Sequence, residues 1–191
     1  MSFVPDATKR SNTGIMTGKL AVWWIVGSEI VIFGGLLGAY IMMRLKYDFW
    51  AEQSAFTNTM AGAINTFILL TSSLFIVLAH HYAEKKDHIR CFIYIWLTIG
   101  GALSFLLVKS LEWASEIHHG YTITSHLFWS FYYTAAGVHG LHVIAGAIIM
   151  VFISFDVLKQ KNLHRVENIG IYWHFVDLVW IFLFPLLYIA K

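Results

Sequence analysis

The chain has 191 residues, of which 58% are hydrophobic and only 13% are charged, and its formal net charge is +2 at pH 7. A soluble domain is usually about one-quarter charged, and one of this size could not bury so much apolar surface. The composition therefore excludes a soluble globule and a disordered chain, and it indicates a protein of the lipid bilayer. The single cysteine, Cys91, excludes an internal disulfide and a thiolate metal cage. With so small a net charge, we expect no nucleic-acid partner.

Residues 2–17 are polar and contain no short apolar core followed by a small-residue cleavage site, so we expect no removed signal peptide. Five apolar runs follow, at 20–43, 59–82, 92–114, 127–155 and 169–190. Each is long enough to cross the hydrocarbon core, which takes about 20 helical residues. A backbone in lipid must satisfy its own hydrogen bonds, and no run alternates like a barrel strand, so helices are predicted. The fold class is all-α, a polytopic membrane protein of five transmembrane helices, with residues 1–191 in a single transmembrane domain.

The basic residues of the connecting segments predict the orientation. One side carries Lys9, Arg10, Lys19, Lys85, Lys86, Arg90, Lys159, Lys161 and Arg165, and the other carries Arg44, Lys46 and Lys191. Cytoplasmic loops are enriched in lysine and arginine. We therefore expect the N-terminus in the cytoplasm and the C-terminus outside.

The first span contains one acidic residue, Glu29, near its centre. An ionised carboxylate there costs about 2.5–3.5 kcal/mol on insertion scales, so it normally faces protein or water. Glu29 is either a protonated acid hydrogen-bonded inside the bundle, or a lipid-headgroup contact or proton-linked site. Gly34 and Gly38 form a small-residue seam on the same span, which favours close helix packing.

The third span ends in charged residues. Lys109 and Glu112 are three residues apart, so they can pair or snorkel towards the interface. Further polar residues precede the fourth span: Glu116, His118, His119 and His126. They could form a surface metal site, but solvated loop side chains are the preferred interpretation.

The fourth span contains His139 and His142, again three residues apart, and Gly137, Gly140 and Gly146 lie nearby. Two histidines on one helical face could ligate a metal or a haem, but ligation needs partners from other helices. Small residues let helices approach closely, and polar side chains then bond across the seam. Helix packing is therefore the preferred interpretation.

The last span contains His174 and Asp177, also at a spacing of three. The carboxylate could accept a hydrogen bond from the imidazole, which would reduce the cost of burying both. Such a pair could orient a metal ligand, relay a proton or cross-link two helices, and the structural role is preferred. The sequence contains no phosphate-binding loop, nucleophile elbow or zinc-finger spacing.

Two stretches resemble one known family. Residues 131–146 (FYYTAAGVHGLHVIAG) resemble the penultimate-helix motif of cytochrome c oxidase subunit III, and residues 172–180 (YWHFVDLVW) resemble its last-helix motif. Shorter matches follow the family order: Ser28-Glu29, Ala39-Tyr40, Asn65-Thr66, Thr71-Ser72-Ser73 and Glu112-Trp113. The similarity runs from about Gly18 onwards. The chain departs from the family pattern in having five spans, where the long form has seven, and in Ala136, where threonine is usual.

The resemblance implies a non-redox accessory subunit of a respiratory haem–copper oxidase in the bacterial inner membrane. In this family the helices surround a V-shaped cleft that holds phospholipid. The subunit packs against oxidase subunit I, near its proton-uptake path, and sustains turnover. Haem and copper would then lie in partner subunits such as I and II, and this chain would hold no cofactor, no metal and no catalytic residue. Short forms also occur in quinol oxidases and beside nitric oxide reductases, so the electron donor stays open.

The resemblance also implies roles for individual residues. The buried polar contacts of the bundle and cleft would be Glu29, His139, His142, His174 and Asp177. The contacts with lipid headgroups and the membrane interface would be Arg165, Trp23, Trp173 and Trp180.

Overall fold

The structure is a computed structural model that describes residues 17–190, and within that range it is helical with no strand. The elements are α1 (Thr17–Lys46), α2 (Trp50–Ser54), α3 (Thr59–Glu84), α4 (His88–His118), α5 (Leu127–Leu158), α6 (His164–Phe184) and a π-helical segment (Pro185–Ile189). Five helices are long and apolar enough to cross a membrane: α1, α3, α4, α5, and α6 with the π-helical segment. The predicted all-α membrane fold with five spanning helices is confirmed. Residues 1–16, including Lys9 and Arg10, and Lys191 lie outside the described residues.

The helices extend beyond most of the predicted span ends, and side chains cap the start of two of them. Asn58 accepts a hydrogen bond from the Ala61 amide at the start of α3 (3.1 Å), and Asp87 accepts one from Arg90 at the start of α4 (3.0 Å). Helix α4 also runs on to His118, so Glu116 belongs to the helix and not to the loop in which it was predicted. The α2 helix was not predicted.

The α-helical pattern of the last span changes at Pro185. Proline has no backbone N–H and cannot continue the hydrogen-bond ladder of α6. The chain continues as a π-helical turn, in which the Ala190 amide donates to the Pro185 carbonyl at 2.8 Å. This turn directs the Tyr188 side chain into the bundle, where it is fully buried.

Helices α3, α4, α5 and α6 pack as a four-helix bundle, and close contacts at two glycines bring helices together. A Cβ on Gly101 would lie 2.7 Å from the Ser72 Cβ, and a Cβ on Gly146 would lie 2.9 Å from the Trp173 ring. The seam predicted on α1 is different, because a Cβ on Gly34 or Gly38 would meet no atom within 4 Å. Within residues 17–190, no helix packs closely against that seam.

Helix α1 lies against one side of the bundle, mainly along α6 and only sparingly along α5. Polar contacts attach α1 to the bundle at three positions along its length. Lys19 pairs with Glu167 at 2.5 Å, Glu29 lies 3.0 Å from His142, and the Tyr40 hydroxyl donates to the carbonyl oxygen of residue 186 at 2.7 Å. The space between the first two contacts is an open groove.

Candidate functional site

The groove between α1 and α5 has a volume of about 470 Å³, and α6 forms its floor. Its lining is Val22, Ile25, Ile149, Phe152, Ile153, Arg165, Asn168, Ile169 and Tyr172. Six of these nine side chains are aliphatic or phenylalanine. The polar ones follow one another along α6, with Arg165 in its first turn. The groove is therefore apolar along the helices and charged at one end.

Arg165 provides that charge. Its Nη1 donates to Asp156 Oδ2 at 2.6 Å, and its side chain remains 52% exposed. A guanidinium has five N–H donors in a planar fork, so the Asp156 contact leaves most of them available. Arg165 can bind an anion at the mouth of the groove while it stays anchored to α5.

Glu29 and His142 join α1 to α5 at the inner end of the groove. Glu29 Oε2 lies 3.0 Å from His142 Nε2, and the two side chains are only 18% and 20% exposed. His142 Nδ1 lies 2.8 Å from the Val138 carbonyl, which can only accept, so this nitrogen carries a hydrogen. The two atoms are within ion-pair distance, but Glu29 Oε2 makes no hydrogen bond of suitable geometry in the described part of the chain.

His139 does not share that site. It is completely buried, with the Phe105 ring 5.3 Å and the Trp180 ring 5.1 Å from its own ring centroid. Neither of its ring nitrogens has a hydrogen-bond partner among residues 17–190. A spacing of three residues leaves two side chains about 60° apart around a helix, and here that angle separates the bundle core from the α1 contact. The predicted common face of His139 and His142 is therefore not a common ligand site.

His174 and Asp177 also have separate contacts. His174 Nδ1 lies 2.8 Å from Ser73 Oγ on α3, so His174 links two helices, which was one of the predicted roles. Asp177 is only 4% exposed, and neither of its carboxyl oxygens is hydrogen-bonded within the described part of the chain. The carboxylate therefore does not orient the imidazole.

The tryptophans divide into two groups. Trp23 is 56% exposed on α1, in keeping with a lipid-facing position. Trp173 and Trp180 are buried, and their indole N–H groups donate to Ser72 Oγ (3.1 Å) and Thr66 Oγ1 (3.0 Å). The prediction that these two contact headgroups is wrong. They are seven residues apart, so they lie on the same face of α6, and that face points towards α3.

A second polar cluster was only partly predicted. Lys109 and Glu112 do form a pair, at 3.1 Å, and both are buried. Glu116 on the same helix, Tyr132 on α5 and Tyr188 in the π-helical segment complete a group that we call the Lys109 cluster. The sequence indicates the α4 part of this cluster, because Lys109, Glu112 and Glu116 are three and four residues apart and so lie on one face of the helix. The two tyrosines come from distant parts of the chain, and spacing cannot find them.

The histidine-rich segment before α5 has no metal-binding geometry. Within residues 17–190, no three His, Cys, Asp or Glu side chains lie close enough to hold a metal ion together. His119 Nδ1 instead bonds to the Ser115 carbonyl at 2.7 Å. The alternative of a metal site around Glu116 and His119 has no support from the positions of these side chains.

Comparison with known proteins identifies relatives over the whole length. The sequence model of the family described as "Cytochrome c oxidase subunit III" matches residues 3–191. The chain is 33% identical to cytochrome c oxidase subunit 3 of Thermostichus vulcanus, a match covering 85% of this chain and 82% of that protein. It is 28% identical to the probable quinol oxidase subunit 3 of Staphylococcus saprophyticus, covering 94% and 92%. It is also 28% identical to the heme-copper oxidase subunit I+III of Aeropyrum pernix, covering 90% of this chain and 22% of that longer protein.

Proposed function

The chain belongs to the cytochrome c oxidase subunit III family, and we propose that it is a non-redox subunit that holds phospholipid against a respiratory haem–copper oxidase. Haem and copper would be held by the partner subunits, and no residue of this chain would take part in the reduction of oxygen. The observation that carries the lipid role is the groove between α1 and α5, with Arg165 at its mouth.

The chemistry of the groove matches the two parts of a phospholipid. Its aliphatic walls, among them Ile25 and Phe152, would remove an acyl chain from contact with the bulk bilayer. The exposed N–H groups of Arg165 would donate to the phosphate, which is the anion that a guanidinium binds in a bidentate manner. Asp156 would hold the guanidinium in place.

The Glu29–His142 contact supports a role in sustained turnover. It attaches α1 to α5 beside the groove, so it would keep the lipid-binding surfaces together. We propose that this pair of titratable side chains also takes part in the proton supply of the neighbouring subunit. We propose that this contact, rather than a metal or haem, is the role of His142.

Oxidase subunit I is the proposed main partner, with subunit II and other respiratory subunits nearby. The name of the Aeropyrum pernix relative joins subunits I and III in one protein, which supports direct contact between them. We place the complex in a bacterial inner membrane, with the N-terminus in the cytoplasm. That orientation rests on the basic residues of the loops.

The relatives support two electron donors. One relative is a cytochrome c oxidase subunit and another is a probable quinol oxidase subunit, at similar identity. We propose a cytochrome c oxidase first, since the family description and the more similar of these two relatives carry that name. A quinol oxidase is the second candidate.

Purification of the tagged chain in a mild detergent tests this proposal. We expect an oxygen-reducing haem–copper core to co-purify, together with phospholipid that detergent exchange does not remove. The haem types and the co-purified donor then distinguish the two oxidase classes. A chain that purifies alone, or that carries its own haem, would overturn the assignment.

A further inference from the structure

The Lys109 cluster lies at the end of the bundle opposite Arg165, away from the lipid groove. None of its five residues is more than 5% exposed, although three of them are ionisable as lysine or glutamate. Buried charges are normally paired and hydrogen-bonded, because desolvation is costly. The protonation state of this cluster must therefore balance the charges that it buries.

Six close polar contacts connect the five side chains. Lys109 Nζ donates to Glu112 Oε2 at 3.1 Å, to the Tyr132 hydroxyl at 2.8 Å, and to the Tyr188 hydroxyl. The Tyr132 oxygen also lies 2.8 Å from Glu112 Oε1, 2.9 Å from Glu116 Oε1 and 3.1 Å from the Tyr188 oxygen. Tyr132 is thus the centre of the cluster.

Tyr132 cannot make all four of its contacts as hydrogen bonds, because a phenol has one hydrogen and two lone pairs. Its single hydrogen can go to Glu112 or to Glu116 but not to both. If both carboxyl groups were ionised, two negative charges would be buried beside one ammonium, and one carboxylate oxygen would face the phenol oxygen with no hydrogen between them. The buried charges therefore balance only when one of the two carboxyl groups is protonated.

Glu116 is the carboxyl group that carries the proton. Glu112 accepts from the Lys109 ammonium, which stabilises its negative charge. Glu116 Oε1 accepts from Tyr132, and its Oε2 has no hydrogen-bond partner in the described part of the chain. With a proton on Glu116, the cluster contains one ammonium and one carboxylate and is neutral. A neutral cluster is the arrangement that burial favours.

A polar pocket of about 320 Å³ leads from this cluster to the surface. Glu112 and Glu116 form its inner wall, and the exposed residues Asn58, Ser115 and His119 lie around its opening. The pocket brings water next to the two glutamates, each of which keeps about 5% of its surface exposed, so a proton can be exchanged at this wall.

The other titratable groups around the cluster are few. Tyr133 on α5 donates its hydroxyl hydrogen to the Tyr121 carbonyl and has none left for Glu116. Tyr121 and His119 line the pocket itself. Further along the bundle, His139 lies against Trp180, whose ring is 5.7 Å from the Lys109 ammonium. The nearest cation to both carboxyl groups is Lys109.

We propose that Glu112 and Glu116 form a proton-binding site in which one proton rests on Glu116 and exchanges with water through the pocket. Glu116 takes the proton from the aqueous phase and returns it there, while Glu112 remains ionised beside Lys109. This site is separate from the lipid groove and does not depend on the proposed function.

Infrared spectroscopy of the full-length chain in phospholipid nanodiscs tests the proposal, with glutamate labelled with carbon-13 at the side-chain carboxyl. A protonated carboxyl has its own C=O band, and the label removes every aspartate from the comparison. At neutral pH, we expect Glu116→Gln to lose one such band relative to the parent chain. Glu52→Gln, at an exposed position on α2, should leave the bands unchanged. Glu29 is present in every sample, so its band is absent from the difference between variant and parent spectra.

Lys109→Gln is the second variant, and it tests the proposed protonation if Glu116→Gln does not fold. Without the ammonium, Glu112 loses its counter-charge, so we expect one additional protonated band. In the parent chain, the Glu116 band should also shift rapidly in heavy water, because the pocket is open. If Glu116→Gln keeps every protonated band, or if Lys109→Gln gains none, the shared-proton site is wrong.

Discussion

Glu29 Oε2 and His142 Nε2 lie 3.0 Å apart and form the polar contact that attaches the middle of α1 to α5. The His142 ring is also covered by Phe33, whose centroid is 5.2 Å away, so the contact is shielded from lipid. Tyr172 donates to the His142 carbonyl at 3.2 Å and connects the same point to α6. Three helices therefore meet at His142 beside the groove.

Replacing Glu29 with alanine should weaken the attachment of α1 without affecting the haem groups of the complex. The lost contact is polar and mostly buried, so we expect a cost of about 0.5–1.5 kcal/mol in the docking of α1. The measurement is phospholipid per haem in the purified oxidase, together with the time course of inactivation during turnover. The amount of phospholipid per haem should fall and inactivation should become faster, while the haem spectrum stays the same. Glu52→Ala is the matched control, and unchanged lipid content with unchanged inactivation would contradict the prediction.

Arg165→Ala should reduce the amount of phospholipid that resists detergent exchange, because the groove loses its phosphate donor. Arg165→Lys should have an intermediate effect, since lysine keeps the charge but not the bidentate geometry. Arg90→Ala is the matched control: Arg90 is exposed at the same end of the bundle and pairs with Asp87, but it does not line the groove. The measurement is the amount of bound phospholipid, determined by mass spectrometry for the parent complex and the three variant complexes. Equal losses in Arg165→Ala and Arg90→Ala would indicate a general surface-charge effect.

Apolar run length was sufficient to predict the five spanning helices, because lipid requires long helical segments whatever their packing. It could not predict which face of each helix points inward. Trp173 and Trp180 show why: aromatic residues near helix ends are common at membrane interfaces, yet here the hydroxyls of Ser72 and Thr66 satisfy their N–H groups inside the bundle. A helix that is apolar all round carries no such signal in its sequence.

Pairing at short range was easier to predict than pairing at long range. The spacing of Lys109 and Glu112 indicated their contact, which the structure contains. The partner of Glu29, by contrast, is 113 residues away at His142, on a helix that any of the others could have faced. The spacing of His174 and Asp177 was misleading, because Ser73 competes for the imidazole. Spacing within one helix cannot account for competitors on its neighbours.

Glu112→Gln and Glu116→Gln should differ sharply in stability, although they are the same chemical change one turn apart. Glu112→Gln leaves the buried Lys109 ammonium without its carboxylate, and breaking a buried pair costs about 3–5 kcal/mol. Glu116→Gln replaces a neutral acid by a neutral amide of similar size that can still accept from Tyr132, so we expect a change below about 1 kcal/mol. Unfolding of the full-length chain by detergent or heat, followed by circular dichroism, measures both. Equal destabilisation would mean that Glu116 is ionised.

The last prediction concerns helix packing at two glycines of α5. A Cβ on Gly146 would lie 2.9 Å from ring atoms of Trp173, which is buried and hydrogen-bonded to Ser72, so the ring has little freedom to move. Gly146→Ala should therefore destabilise the chain by about 1–3 kcal/mol, the usual cost of overpacking. A Cβ on Gly140 would meet only a Leu106 methyl group, at 3.9 Å. Gly140→Ala should be neutral or stabilising by up to about 1 kcal/mol, because alanine is the better helix former. The same unfolding assay compares the two variants, and destabilisation of both to the same extent would show that loss of a glycine, and not contact with Trp173, is what matters.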